Sequence, residues 1–193
     1  GVMRTPLGRL QLPEVRGTQD YLGLNYYTGD TVWFDPHLPR ELFSHAGFLP
    51  GADLSETGMI ANLPHAFYQA MHWAVRTYPD LPIYITENGI ESSDDAIRRR
   101  YISQHVHQIW RAVNFNWQIQ GYFHWSLVDN FEWDRGWTQR FGLWALDTET
   151  QKRTKRQSAD LYTAICKTNS LSSDMVYQHS PEVFDRIFPP FEG

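Results

Sequence analysis

Three apolar, β-rich runs, each followed by a segment of helical period, restrict this chain to a parallel α/β architecture. The runs are "YLGLNYYT" (Tyr21 to Thr28), "LPIYITE" (Leu81 to Glu87) and "IQGYFHWSL" (Ile119 to Leu127). Gly17 and Gly29 bound the first run. The second is apolar at both parities, which predicts burial on both faces. A long polar connection from Asp30 to about Asn62 leads to the first predicted helix, Pro64 to Thr77. Phe67, Met71, Ala74, Val75 and Tyr78 share one face of it, Pro64 suits its first turn, and "YPDLP" stops it. The second helix opens at Ser92 or Ser93, with Asp94 and Asp95 at its positive end. Its stripe is Ile97, Tyr101, His105, Ile109 and Val113, ending near Asn114. After the third run come a Trp-rich loop, an extended piece "FGLWALD", and a helix from about Arg156 to Lys167. Alternation of this kind predicts βαβ units with right-handed crossovers. Three units cannot close a barrel, which needs eight, and a three-stranded sheet leaves two bare edges. The fold is therefore a small open sheet or part of something larger.

The polar tail from Thr168 contains "SPEVFDRIF", which predicts a short helix capped by Ser180 with Pro181 first. A net charge of −5 with scattered Lys and Arg offers no face for nucleic acid or anionic lipid. The "KRTKR" run, Lys152 to Arg156, reads as a solvated loop and helix start. Cys166 is the sole cysteine, so no internal disulfide, redox pair or zinc pattern is expected. It follows Ile165 on an apolar helical face and is expected to be a small buried hydrophobe. No apolar run of about 18 residues provides a membrane span, and no signal peptide is recognisable at the start. His105 and His107 face different ways on their helix, and no glycine-rich phosphate loop occurs, so neither a metal nor another cofactor is expected. Aromatic residues make up 15% of the chain, with eight Trp. Such flat faces suit the C–H faces of sugars as well as they suit a core.

Ligands of parallel α/β folds collect at the carboxyl ends of strands, and the suspicious polar groups fall there. Asn25 and Tyr27 lie near the end of the first strand and share a face by alternation. Glu87 ends the second, Trp125 lies near the end of the third, and Glu132 and Trp133 follow in the next loop. Each alone reads as a cap, a salt-bridge residue or core packing. Together on one rim they are hard to explain as structure alone.

"YITENG", "YLGLNYYT" and "GYFHWSLVDNFEWDRGWTQRFGLWALD" together resemble the C-terminal part of glycoside hydrolase family 1, the β-glucosidase type, in order and spacing from about Thr18 to Ile165. The long third motif is highly specific, whereas "TENG" alone would be weak. The resemblance implies that residues 1–167 are the last three βα units, strands 6–8, of a (β/α)8 barrel. Residues 168–193 would be a tail, with the short helix near 181–188. It also implies a retaining mechanism, in which one carboxylate attacks the anomeric carbon and a second carboxyl about 5–5.5 Å away protonates the leaving oxygen. Glu87 would be the nucleophile, and Tyr27 would hydrogen-bond its charged form. Asn25 would help line the pocket. Trp125 resembles the platform under the sugar, Glu132 the acid that grips two hydroxyls, Trp133 a donor to a third, and Phe141 a residue closing the pocket. A carboxylate at Glu132 would repel a sugar 6-phosphate, and phospho-glycosidase members carry Ser and Lys in this loop instead.

Two departures stand out. Where the family often has a "GWEIYPEGL"-like stretch, this chain has "MIANLPHAFYQ", with Ile60 or Ala61 at the Trp position. The family's "NEP" motif, which supplies the acid/base glutamate, is nowhere in the 193 residues. The expectation is therefore a β-glycosidase portion that acts on β-glycosides only with a partner carrying the N-terminal part of the barrel. The alternative is an inactive sugar-binding or structural remnant. A lone cysteine is compatible with a cytoplasmic location.

Overall fold

The computed structural model describes residues 2–5, 8–15 and 17–190. An antiparallel hairpin, β1 (Val2–Thr5) and β2 (Gly8–Gln11), precedes β3 (Leu22–Tyr26). A second antiparallel pair follows, β4 (Thr31–Phe34) and β5 (Ser44–Gly47), and then helix α1 (Pro64–Thr77). Next come β6 (Ile83–Asn88), α2 (Asp95–Asn114) and β7 (Ile119–His124). The paired strands β8 (Trp144–Leu146) and β9 (Arg153–Lys155) lead to α3 (Gln157–Thr168), α4 (Ser173–His179) and α5 (Phe184–Ile187). β3, β6 and β7 form one parallel sheet in that order.

The expected α1 is found with its limits unchanged, and the reason is local. Pro64 occupies the first turn, where a missing N–H costs nothing, and Phe67, Met71 and Ala74 recur on one face. That face is fully buried against Ile83, Ile85 and Tyr26. Burying each of the larger side chains stabilises the fold by about 1.5–3 kcal/mol. α2 starts later than expected. Asp94 is its cap, accepting from the Ala96 N–H at 3.0 Å, and Ser92 and Ser93 lie outside.

Several expectations are corrected. β6 is fully buried on the Ile83 and Ile85 side only, while Tyr84 and Thr86 on the other face stay half-buried. Among the described residues, no layer packs on that second face in the way α1 packs on the first. The long connection contains β4 and β5, whose rings pair across the hairpin (Trp33 on His45, Phe34 on Phe43). "KRTKR" is solvated from Lys152 to Lys155 and leads into α3 at Arg156 as expected, but it is not a loop. Its central residues form β9, and the Arg156 guanidinium turns inward to Asp129 at 2.8 Å. Cys166 is exposed. Leu161 and Ile165 carry the buried face of α3, and the next residue is rotated about 100° away. The tail forms α4 before the expected helix. Ser180 gives no side-chain cap, and its hydroxyl bonds Ser103 at 2.7 Å instead.

Candidate active site

A break in strand alternation sets the site. With Ile83 and Ile85 turned to the helices, strict alternation would bury Glu87 beside them. Between β3 and β6 the pairing moves from Leu24↔Ile85 to Asn25↔Glu87, so Thr86 is an extra residue. Such a bulge re-aims the side chains after it. Thr86 donates to Asn25 Oδ1 at 2.6 Å, and Glu87 reaches Tyr27 on the same open face. Asn88 takes the buried place in the helix-side layer.

The Tyr27 phenol donates to Glu87 Oε2 at 2.6 Å, and Glu87 Oε1 has no partner among the described residues. Burial first, then the bond to Glu87 and its charge, then the charge of Glu132, hold the Tyr27 phenol far above its usual range. It therefore remains a donor at any working pH, and it feels both carboxylates. Its ring meets Phe141 edge-on at 5.9 Å. Asn25 pairs with Glu87 across the sheet, and its Nδ2 is unpartnered among the described residues.

The loop leaving β7 folds back on itself. Ser126 and Leu127 bond Phe141, Leu143 and Trp144 on the returning strand. Within this frame Glu132 Oε1 accepts from Trp125 Nε1 at 3.0 Å and from Asn130 Nδ2 at 2.7 Å. Its Oε2 has no partner among the described residues. Trp125 sits against the end of β6, with its N–H on the Asn88 carbonyl at 3.0 Å. Gly89 makes that approach possible, because a Cβ there would lie 2.0 Å from the Trp125 carbonyl oxygen. Ile60, Ile90, Ile97, Tyr101 and Phe141 form an apolar floor, on which Tyr27 and Trp125 pack.

Six of the seven residues singled out from sequence are thus linked by contacts at the exits of β3, β6 and β7: Asn25, Tyr27, Glu87, Trp125, Glu132 and Phe141. Trp133 is not brought in. It is 86% exposed in a turn with positive φ. Sequence reasoning missed Asn130, although "DNFE" places it two residues before the acid it holds. It also missed Glu91, which is buried and fixes the loop before Ile60 by accepting from Ser55 Oγ at 2.6 Å and from the Glu56 and Thr57 N–H groups. No cluster of three or more His, Cys, Asp or Glu that could hold a metal ion occurs among the described residues. Chemically, the site offers a carboxylate with one free oxygen, a flat indole, and a second carboxylate free to accept hydroxyls.

Behind the sheet, His105 is fully buried and His124 is half-buried with its Nε2 shut in, and burial, joined at His124 by the Arg98 charge, pushes each down to about 3. The unfolded chain, with histidine near its usual value of about 6.5, then takes up those protons first. Stability is complete above about pH 6.5 and is lost as pH falls toward about 3. Urea unfolding across that window should fall by up to about 1.4 kcal/mol per pH unit for each histidine. His105→Phe should remove one proton from the slope; an unchanged slope would contradict this account.

A model of the family "Glycosyl hydrolase family 1" matches residues 8–171. Beta-glucosidase A of Thermotoga maritima is 35% identical over 170 residues, covering 83% of this chain and 37% of that protein. The 1,4-beta-D-glucan glucohydrolase of Thermotoga neapolitana is 34% identical over 171 residues, with the same coverage of 83% and 37%. Among solved structures, a beta-glycosidase from Pyrococcus horikoshii superposes with a TM-score of 0.81 at 31% identity, over 93% of this chain and 41% of that one. The chain thus spans 37% of the length of these two sequence relatives.

Proposed function

The chain belongs to glycosyl hydrolase family 1, and from that premise we propose that it supplies the nucleophile and much of the sugar-binding wall of a retaining β-glycosidase. Its α/β fold matches barrel enzymes of this family over 41% or less of their length. We assign β3, β6 and β7 to barrel strands 6, 7 and 8. The proposed substrate is a terminal, non-reducing, uncharged β-D-glucosyl residue. The observation that carries this reading is the 2.6 Å contact between Tyr27 and Glu87, on a phenol that also feels Glu132.

Glu87 attacks the anomeric carbon as the bond to the leaving oxygen breaks, forming a glycosyl ester on the enzyme. Water then attacks the same carbon from the opposite side, releases Glu87 and leaves the sugar's configuration unchanged. Tyr27 holds Glu87 in place through its permanent proton. The Trp125 ring lies under the sugar, and Glu132 accepts two of its hydroxyls in charge-assisted bonds. Phe141 closes the back and Asn25 lines the wall, while Trp133 would serve a third hydroxyl only after turning in from its exposed position. The acid/base carboxyl comes from the barrel portion carrying the first five βα units, on the same polypeptide or another. Without it, general acid catalysis worth about 10²–10⁴-fold is missing. Neither nucleic acid nor a membrane takes part, and the cytoplasm is the proposed compartment. Among the described residues, no helix is long and apolar enough to cross a membrane.

The test is mechanism-based labelling. An aryl 2-deoxy-2-fluoro-β-glucoside should form a stable ester with the assembled enzyme, and peptide mapping should place it on Glu87. Turnover of an aryl glucoside with the label on another carboxylate would refute the assignment.

A further inference from the structure

One hydroxyl on α2 joins the two backbone segments that carry the proposed nucleophile and its hydrogen-bond donor. Tyr101 Oη accepts from Asn88 Nδ2 at 2.9 Å and donates to the Tyr27 carbonyl at 2.9 Å. Asn88 directly follows Glu87, and the Tyr27 phenol is the group that meets Glu87. The contacts close a ring: Glu87 carboxylate to Tyr27 phenol, Tyr27 backbone to Tyr101 hydroxyl, Tyr101 hydroxyl to Asn88 amide, and Asn88 backbone to Glu87. Asn88 and Tyr101 are both fully buried.

We infer that Tyr101 is a positioning residue for the nucleophile, fixing the distance between Tyr27 and Glu87 without touching the sugar. This rests on the reading of Glu87 as nucleophile. The need for such a tie comes from the strand itself. Pairing slips on both sides of β6 near its end, after Ile85 toward β7 and at Thr86 toward β3. Where ladder bonds lapse, side-chain bonds must hold the backbone. Asn88 does so three ways: Nδ2 also donates to the Tyr26 carbonyl at 2.8 Å, and Oδ1 accepts from Tyr122 Oη at 3.0 Å. Tyr101 is rigid enough to serve as the reference. Its ring stacks on His105 at 3.7 Å and packs in the floor with Ile60, Ile90, Ile97 and Phe141. Burial keeps its phenol protonated, so it always has a proton to give.

A simple core tyrosine with a satisfied hydroxyl would look similar. Tyr122 is the internal comparison. Its hydroxyl bonds the same Asn88, but from the Oδ1 side and with no link to Tyr27. Losing either hydroxyl leaves Asn88 short of a partner. Only Tyr101→Phe also frees the Tyr27 carbonyl.

The experiment compares Tyr101→Phe and Tyr122→Phe in the complete enzyme that contains these residues. Functional sites are counted by the burst of aryl alcohol released by an activated 2-fluoro-β-glucoside. A misplacement of 1 Å can cost about 10²-fold, so kcat per titrated site should fall roughly 10-fold or more in Tyr101→Phe. KM should change by less than about threefold, because the Trp125 indole and Glu132 bond each other and Asn130 rather than the Tyr101 hydroxyl. Tyr122→Phe should lower Tm yet keep kcat per site within about twofold. If Tyr101→Phe does not fold, Asn88→Ser breaks the same bridge from the strand side and is read the same way. An unchanged kcat per site in the bridge variant, or equal losses in both variants, would make Tyr101 a structural residue only and overturn the inference. A parent enzyme that never carries the fluoroglucosyl ester on Glu87 would overturn the nucleophile reading itself, which is a separate result.

Discussion

Glu87→Gln lowers kcat/KM for an aryl β-glucoside by roughly 10⁴-fold or more in the assembled enzyme, with folding intact. The size follows from the chemistry. An amide oxygen of the same shape cannot form the ester, and deletion of a covalent nucleophile in comparable systems costs on the order of 10⁴–10⁶. Folding should survive because Glu87 is half-buried and its one side-chain hydrogen bond among the described residues is from the Tyr27 hydroxyl, which can donate to an amide oxygen as well. Sugar binding should also survive, since Trp125 and Glu132 are held from the β7 side by Asn130 and the returning loop. The informative comparison is the affinity of a glucose-shaped competitive inhibitor, which should stay within about tenfold of the parent. Loss of binding equal to the loss of rate would mean that Glu87 serves the architecture rather than the reaction.

Asp129→Ala should be the most damaging single change to stability, at about 3–5 kcal/mol. Asp129 is nearly inaccessible and takes a two-pronged bond from Arg156 at 2.8 and 3.0 Å. It also accepts the Gly142 and Leu146 N–H groups at 2.8 and 3.2 Å. Removing it strands a guanidinium whose side chain is 11% exposed, along with two backbone donors. The same deletion loosens the Trp-rich loop that carries Glu132, so inhibitor affinity should fall too. The Lys155–Asp160 pair is just as short, at 2.6 Å, but about half exposed on both sides. Asp160→Ala should cost at most about 1 kcal/mol, because exposed ions lose little when separated. Urea unfolding of the two variants side by side decides the matter. Similar midpoints would contradict a structural role for the buried pair.

The parts legible in the sequence are those whose causes are local. α1 follows from a proline in its first turn and three apolar residues on one face. The strand ends that carry Tyr27, Glu87 and Trp125 follow from apolar runs and from motifs with a known arrangement. What sequence could not yield depends on contacts between distant segments. The bulge at Thr86 reverses the parity of Glu87, and nothing in "YITENG" announces an extra residue, since the pairing with β3 defines it. Asn88 and Tyr101 are thirteen residues apart, and Tyr101 and Tyr27 seventy-four. Arg156 looked like one charge in a solvated run because its acceptor lies twenty-seven residues earlier. α4 went unseen because seven residues give barely two turns of pattern, although Ser172 caps it through the Met175 N–H at 3.2 Å.

The central claim is that the exits of β3, β6 and β7 surround a single sugar ring. A crystal structure of the assembled enzyme trapped with a 2-fluoroglucosyl group tests it most directly. The account predicts the anomeric carbon bonded to Glu87, the ring lying over Trp125, and two hydroxyls on Glu132. A sugar bonded elsewhere, or one on Glu87 whose hydroxyls point away from Glu132, would contradict it.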